Sequence, residues 1–162
     1  METLEYRTVD KADWGPGPWQ SEPDKKQWRD PETGLACLVV RGPSGALCGY
    51  VGVEPGHPLH GKDYDGADME VHGGLTFADS CGHGDDPSEG ICHIPGAGEP
   101  DDVWWFGFDC GHYGDLSPAY AALPSPFLRG GVYRDLAYVE SEVQSLARQL
   151  ARAAISKAEG RA

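Results

Sequence analysis

All six histidines of this chain fall within 56 residues of its middle, from His57 to His112. The same stretch holds three of the five cysteines and twelve of the 26 acidic residues. Imidazole, thiolate and carboxylate are the side-chain groups that bind divalent metals and transfer protons near neutral pH. Catalytic or ligand-binding chemistry is therefore expected in this middle third.

The segment FDCGHYGD (108–115) places Asp109, His112 and Asp115 directly after a predicted strand. Side chains at the end of a strand are held by the sheet yet remain accessible, which suits a site. Their oxygen and nitrogen donors suit Zn²⁺, Mn²⁺ or Fe²⁺. Together with His72, from a neighbouring predicted strand, they form a candidate site for zinc or another divalent metal. Two alternatives stay open: the aspartates cap loop amides, or the cluster serves acid–base chemistry or ligand binding without a metal.

A second metal pattern combines cysteine with histidine in a polar loop. Its members are Cys81, His83, Cys92 and His93. Structural zinc would explain how such a polar loop folds, although the spacing differs from the common C-x₂-C patterns. Five cysteines are an odd number, and the N-terminus shows no secretory signal, so a disulfide framework is not expected.

Other patterns are less specific. Cys110 beside His112 resembles a thiolate nucleophile with its base, but neighbouring acids raise the pKa of a thiol and disfavour this chemistry. The segment KDYDGAD (62–68) resembles a calcium loop with its glycine at the wrong position and no glutamate at the twelfth. The common nucleotide-binding and hydrolase motifs are absent from the sequence.

A ligand pocket is the alternative use of the histidines. His57 and His60 flank Pro58, so they are either turn residues or ring donors to a phosphate or carboxylate. The predicted pocket residues are His57, His60, His72, Trp105 and His112.

The elements that position these residues indicate an α+β fold, with an antiparallel or mixed sheet, long Gly/Asp/His-rich loops and one long C-terminal helix. The runs 36–41 and 46–53 predict a hairpin, in which Cys37 and Cys48 share one face if Arg41 opposes Ala46. Strands are also predicted over 69–77 and over 102–109, the latter in the centre of the sheet because both its faces are apolar.

The C-terminal helix is predicted over about 135–158. Asp135 is its N-cap, and apolar residues recur at three- and four-residue steps. We expect this helix to pack on the sheet, with a helix-to-helix homodimer as the alternative. The length fits a single domain, 1–162, with a turn-rich N-terminal segment (1–35) and the sheet and its loops at 36–131.

The net charge of −13 lies in the middle of the chain, where Lys62 is the one basic residue between Gly42 and Leu128 against fourteen acidic residues. Direct binding to nucleic acid or to anionic membranes is therefore not expected. No apolar run approaches the ~20 residues of a membrane span, and a cytoplasmic location is expected. Three interpretations of these acidic residues stay open: they form a solvated surface, they bind divalent cations, or they form a surface that is complementary to a basic partner.

Several strings are distinctive: CGYVGVEPGHPLHGKDYD, VHGGLTF, GICHIP, DDVWWFGFDCGH and YRDLAYVESEVQSLARQL. In these motifs the chain resembles a family of small, uncharacterised proteins from bacteriophages and bacteria, from about Trp14 to Leu150. The resemblance implies a phage or prophage origin and a setting in the host cytoplasm. It implies no activity and no catalytic residue.

Two functional hypotheses follow. The first is a phage-type accessory binding protein that captures a small-molecule ligand, such as a nucleotide signal, or a host protein, and so modulates host physiology or defence. The second is a metal-dependent hydrolase that uses the histidine and aspartate cluster to activate water.

Overall fold

A computed structural model describes residues 1–82, 86–123 and 131–160. Within these residues, six strands form one antiparallel sheet, and a 24-residue helix packs against it. The strands are β1 (Leu4–Tyr6), β2 (Lys25–Arg29), β3 (Ala36–Arg41), β4 (Leu47–Val53), β5 (Phe77–Ser80) and β6 (Trp104–Asp109), and the helix is α1 (Leu136–Glu159). Their order across the sheet is β1-β2-β3-β4-β6-β5. The α+β prediction is confirmed.

The helix α1 covers one face of the sheet. Val139, Val143, Leu146 and Leu150 are fully buried at the three- and four-residue steps that the sequence shows. Asp135 caps the helix, its carboxylate accepting a hydrogen bond from the backbone N–H of Tyr138, as predicted. The face beneath the helix includes Val39, Val51, Phe106 and Phe108. Burial of this apolar stripe is what holds the helix in place.

The opposite face carries a second, smaller core. Leu38, Tyr50, Val103 and Trp105 form it, with the loops around Cys81 and Ile91 packed against them. Strand β6 lies between β4 and β5 and is apolar on both faces, which confirms its predicted interior position.

Two strand predictions need correction. The sheet begins at Leu4 rather than at residue 36, because β1 and β2 in the predicted turn-rich segment pair with each other and β2 continues onto β3. Of the predicted strand 69–77, only Phe77 lies in a strand. Gly73 and Gly74 have φ values of +69° and +80°, which turn the chain before β5 begins. His72 therefore lies in a turn.

The hairpin of β3 and β4 is confirmed, but its register differs from the expected one by one residue. Arg41 opposes Leu47, so Cys37 opposes Val51 and Cys48 opposes Val40. A shift of one residue moves every side chain of a strand to the other face. Cys37 therefore faces the helix, whereas Cys48 packs on the second core.

The loop that follows β5 is joined by a disulfide between Cys81 and Cys92, contrary to the expectation from the cysteine count. Lys25 of β2 reaches into the same loop. Its buried ammonium donates to the carbonyl oxygens of Pro87, Glu89 and Gly90 at 2.9–3.1 Å. Burial lowers the pKa of Lys25, and these three acceptors supply the hydrogen bonds that the ammonium loses with water.

Within the described residues, no helix has both the length and the apolar composition needed to cross a bilayer.

Candidate functional site

Two segments distant in sequence bring His72, His112 and Asp115 together. His72 comes from the turn before β5, whereas His112 and Asp115 come from the loop after β6. One donor atom from each of the three lies within 4.8 Å of the others. The sequence predicted these three residues as metal ligands, and the fold places them side by side.

His72 is oriented through both of its ring nitrogens. Its Nδ1 lies 2.8 Å from the hydroxyl oxygen of Tyr138, and its Nε2 lies 2.7 Å from Oδ2 of Asp115. Tyr138 stands in the first turn of α1, and its ring meets the imidazole edge-on with centroids 5.4 Å apart. The helix therefore sets the direction in which His72 points.

Asp115 is the buried centre of the cluster, with only 2% of its side chain exposed. Its Oδ1 accepts from Nε of Arg134 at 3.0 Å, and its Oδ2 accepts from the backbone N–H of His112 at 3.1 Å. Burial alone would raise the pKa of Asp115, but the hydrogen bonds from His72, Arg134 and this backbone amide outweigh burial and lower it. The carboxylate is thus held in its anionic form.

His112 points its Nδ1 towards two carboxylates. This atom lies 3.5 Å from Oδ1 of Asp109 and 3.8 Å from Oδ2 of Asp115. It is buried and has no hydrogen-bond partner among the described residues. Buried polar atoms in proteins are rarely without a partner, and a cation between the imidazole and the carboxylates would supply one.

Asp109 lies beside the three-residue cluster, outside the set whose donor atoms are mutually close. Its Oδ1 accepts from the backbone N–H of Gly111 at 3.0 Å, and its Oδ2 accepts from the Thr76 hydroxyl at 3.1 Å. Its side chain is 39% exposed. The structure therefore places Asp109 next to His112, as a neighbour of the three donors.

The separations between donor atoms suit a small divalent ion. Zn–N and Zn–O bonds of 2.0–2.2 Å put the ligand atoms of a tetrahedral site about 3.3–3.6 Å apart. The separations seen around Asp115 Oδ2, 2.7 Å to His72 Nε2 and 3.8 Å to His112 Nδ1, fall on either side of that range. Movements of about half an ångström would bring these two separations into that range, and all three donor atoms lie within 4.8 Å of one another.

The other predicted ligand-binding residues lie elsewhere. His57 contacts the Leu150 carbonyl oxygen through Nε2 at 2.8 Å and accepts from the Leu59 amide through Nδ1. His60 lies 2.8 Å from the Asp102 carbonyl oxygen and stacks obliquely on Trp104. Trp105 is fully buried in the second core, on the sheet face opposite α1. The five residues do not form one pocket.

His57 instead lines a separate cavity of about 430 Å³. Its charged lining residues are Arg29, Glu54 and Glu99, and Arg29 and Glu99 form an ion pair at 2.6 Å. The volume matches that of small-molecule sites in general.

Cys110 is not placed as a nucleophile. The thiol is 1% exposed, and burial, with lesser contributions from Asp115 and other neighbours, raises its pKa to about 12. It therefore stays protonated at neutral pH, in agreement with the argument from the sequence against a thiolate–histidine pair. Asp63, from the weak calcium pattern, caps a short 3₁₀ helix through the Tyr64 amide.

Two residues of the site were missed from the sequence. Arg134 and Tyr138 flank the helix N-cap, where the sequence shows only a helix start. Their roles come from the docking of α1 against the loop after β6. The sequence does show Arg134 just before the N-cap and Tyr138 in the first helical turn. Such a pair is too common to predict a role in a site.

Gly73 provides a test of the site that leaves every donor in place. A Cβ on Gly73 would lie 2.4 Å from Cε1 of His112, whereas one on Gly74 would meet nothing within 4 Å. Both glycines have positive φ, so alanine adds similar backbone strain at either position. We expect Gly73→Ala to weaken zinc binding at least tenfold more than Gly74→Ala, as measured by competition with a chromogenic chelator. Equal effects of the two variants would show that His112 takes no part in binding.

The resemblance to small phage and bacterial proteins stays a prediction from its motifs. Neither the family models, nor the curated proteins, nor the solved structures give a match to this chain.

Proposed function

We propose that this protein is a metal-dependent hydrolase whose metal is held by His72, His112 and Asp115. The observation that carries the proposal is the convergence of three donor atoms, from segments 40 or more residues apart in the chain, to within 4.8 Å. Two imidazoles and one carboxylate are a ligand set that zinc hydrolases use, with the fourth position left for water. A water bound there has its pKa lowered to about 7 and supplies a nucleophile at neutral pH.

Tyr138 suits the role of an outer partner to a metal-binding histidine. To bind a metal through Nε2, His72 must carry its proton on Nδ1. The Tyr138 oxygen, 2.8 Å away, would then accept that proton in a hydrogen bond. Such outer partners fix the tautomer and the ring orientation of the ligand.

The charges around the site favour an anionic substrate. A divalent ion, the carboxylates of Asp109 and Asp115 and the guanidinium of Arg134 sum to a net charge of about +1. Arg134 holds Asp115 through Nε, and its two terminal nitrogens form no other hydrogen bond within the described residues. A guanidinium placed in this way binds phosphate well, so we take phosphate esters as the substrate class.

His112 and Asp109 mark the accessible side of the site. Their side chains are 35% and 39% exposed, whereas Asp115 beneath them is almost fully buried. Substrate would approach from this side. The Asp109 carboxylate would take the proton that the metal-bound water releases as it attacks phosphorus, while the ester oxygen departs.

The test uses native mass spectrometry on protein purified without a metal-affinity tag and then supplied with Zn²⁺. We expect one ion per chain, lost in His112→Ala, together with metal-dependent hydrolysis of bis(p-nitrophenyl) phosphate that the same variant abolishes. His60→Ala is the matched control, because His60 lies outside the cluster. A metal-free mass would overturn the proposal, and so would hydrolysis that survives in His112→Ala.

A second candidate function is that of the phage-type accessory protein, which captures a small ligand or a host protein. The cavity of about 430 Å³ beside His57 favours it. In that case His57→Ala would lower the affinity for a bound nucleotide or metabolite, whereas His112→Ala would leave it unchanged. Such a protein would act in the host cytoplasm without turnover.

A further inference from the structure

We propose that Cys81, Cys92 and His93 form a second metal site, which binds a thiophilic ion such as Zn²⁺ only after the Cys81–Cys92 disulfide is reduced. The site is independent of the proposed hydrolase centre. Cys81 packs on the second core, whereas Tyr138 of the first site packs on the core beneath the helix, so the two lie on opposite faces of the sheet.

The donor atoms are already close together. The two sulfurs and one ring nitrogen of His93 lie within 4.8 Å of one another. Cys81 directly follows β5, and Cys92 and His93 are both buried with 6% exposure. The His93 ring meets Trp105 edge-on with centroids 5.4 Å apart, which fixes the plane of the imidazole. Reduction therefore leaves three donors at one place, and it frees the two sulfurs to separate to the ~3.8 Å that Zn–S bonds of about 2.3 Å give in a tetrahedral site.

A small polar cavity lies beside these donors. It measures about 130 Å³, and Lys25, Asp86, Cys92 and His93 are among its lining residues. A water molecule occupies about 30 Å³ of liquid, so the cavity has room for an ion and a water as a fourth ligand.

The loop between the cysteines needs a connection between its two ends. The disulfide is one, and the backbone bond from Gly82 to the Ile91 carbonyl, at 3.1 Å, is another. Lys25 contributes a third anchor through the carbonyls of Pro87, Glu89 and Gly90. A metal held by Cys81 and Cys92 would replace the covalent bond and keep the loop in place, because ligation contributes folding free energy.

The chemistry balances in two steps. A dithiol reductant gives two electrons and two protons to the disulfide, which becomes two thiols while the reductant becomes a disulfide. The ion then binds two thiolates and one neutral imidazole, and two protons are released. The charges of two thiolates and one Zn²⁺ cancel, which suits a buried position. A small-molecule disulfide, itself reduced to two thiols, re-forms the Cys81–Cys92 bond by thiol–disulfide exchange, and the ion is released.

The experiment uses Co²⁺ as the probe, in the full chain carrying His112→Ala so that the first site is silent. Thiolate ligation gives a sulfur-to-cobalt charge-transfer absorption that nitrogen and oxygen ligands do not give. We expect this band, with one ion per chain, in protein reduced by a phosphine and not in oxidised protein. Cys81→Ser and Cys92→Ser should each remove the band, and Cys48→Ser, at a free cysteine outside the cluster, should retain it.

Near-ultraviolet circular dichroism reports whether each sample is folded. If Cys92→Ser unfolds, the more exposed Cys81→Ser decides the question. The proposal is overturned if reduced protein shows no charge-transfer band, or if the band survives in Cys81→Ser. Reduced protein that unfolds and is not restored by Co²⁺ would overturn it as well. None of these outcomes affects the His72 site, whose ligands include no sulfur.

Discussion

Replacing His72 with alanine should weaken zinc binding more than about 100-fold, because it removes one of three protein ligands. Loss of an outer partner alone costs about 10- to 100-fold in metal affinity. Tyr138→Phe removes only the hydroxyl at 2.8 Å from Nδ1 and should fall within that smaller range. The two variants should therefore give graded losses, measured by chelator competition on metal-free protein.

The difference in zinc affinity between His72→Ala and Tyr138→Phe distinguishes metal ligation from a loss of side-chain packing. Tyr138 also packs on the core beneath the helix, and Tyr138→Phe keeps that ring. His60→Ala, at a histidine bound to the Asp102 carbonyl, serves as the control and should leave zinc affinity within about threefold of wild type. If His72→Ala binds zinc as tightly as this control, His72 is not a ligand and the three-residue centre is wrong.

Replacing Asp24 with alanine should lower the free energy of unfolding by about 3–5 kcal/mol, the range for breaking a buried charge network from one side. The Asp24 carboxylate is 3% exposed and lies 2.6 Å from Lys11 Nζ and 2.8 Å from Arg41 Nε. It also accepts from the backbone amides of Thr8 and Val9. Alanine would leave two buried cations without their shared anion. Urea denaturation followed by circular dichroism measures the loss.

Asp13→Ala is the control for this variant, since Asp13 is exposed, and it should change the free energy of unfolding by no more than about 0.5 kcal/mol.

The effect of Asp24 should depend on pH. Burial raises the pKa of Asp24, but hydrogen bonds from Lys11, Val9, Arg41 and Thr8 outweigh burial and lower the pKa below its ordinary value. The ionised Asp24 carboxylate therefore contributes its full share to the free energy of unfolding above the ordinary aspartate pKa of about 3.9. That share is lost as the pH falls through the lower pKa of Asp24 in the folded protein. Wild type and Asp24→Ala should approach each other in stability only in that acidic range. A constant difference down to pH 2 would contradict this assignment.

Much of the fold was predictable because its strongest elements carry their own periodicity. The stripe from Val139 to Leu150 indicates a helix buried on one side, and β6 is apolar on both faces as an interior strand must be. The three residues of β1 carry no such signal. Residues 69–76 have strand-forming side chains, but two adjacent glycines with positive φ override that preference locally. The pairing register of the β3–β4 hairpin, and with it the faces of Cys37 and Cys48, depends on whether Arg41 opposes Ala46 or Leu47. The sequence of the turn fits either pairing.

The candidate site was predictable in its residue types and less so in its arrangement. His72, His112 and Asp115 stood out because all six histidines lie in one stretch of the chain, and because His112 and Asp115 directly follow a predicted strand. Arg134 and Tyr138 could not be found, because their contacts depend on where the helix docks. The pairing of Cys81 with Cys92 was missed because an odd cysteine count says nothing about which two sulfurs are neighbours.

The strand order has a consequence for synthesis on the ribosome. β5 pairs only with β6 in the described sheet, and β6 ends 29 residues later in the chain. At about 5–20 residues per second, β5 waits roughly 1.5–6 s for its partner, while β1 to β4 can already pair in order as neighbours. Tyr138, which orients His72, is made later still. An ion at the proposed His72 centre would therefore meet a chain in which β1 to β4 have had time to pair, because its ligands His112 and Asp115 follow β6 in the sequence.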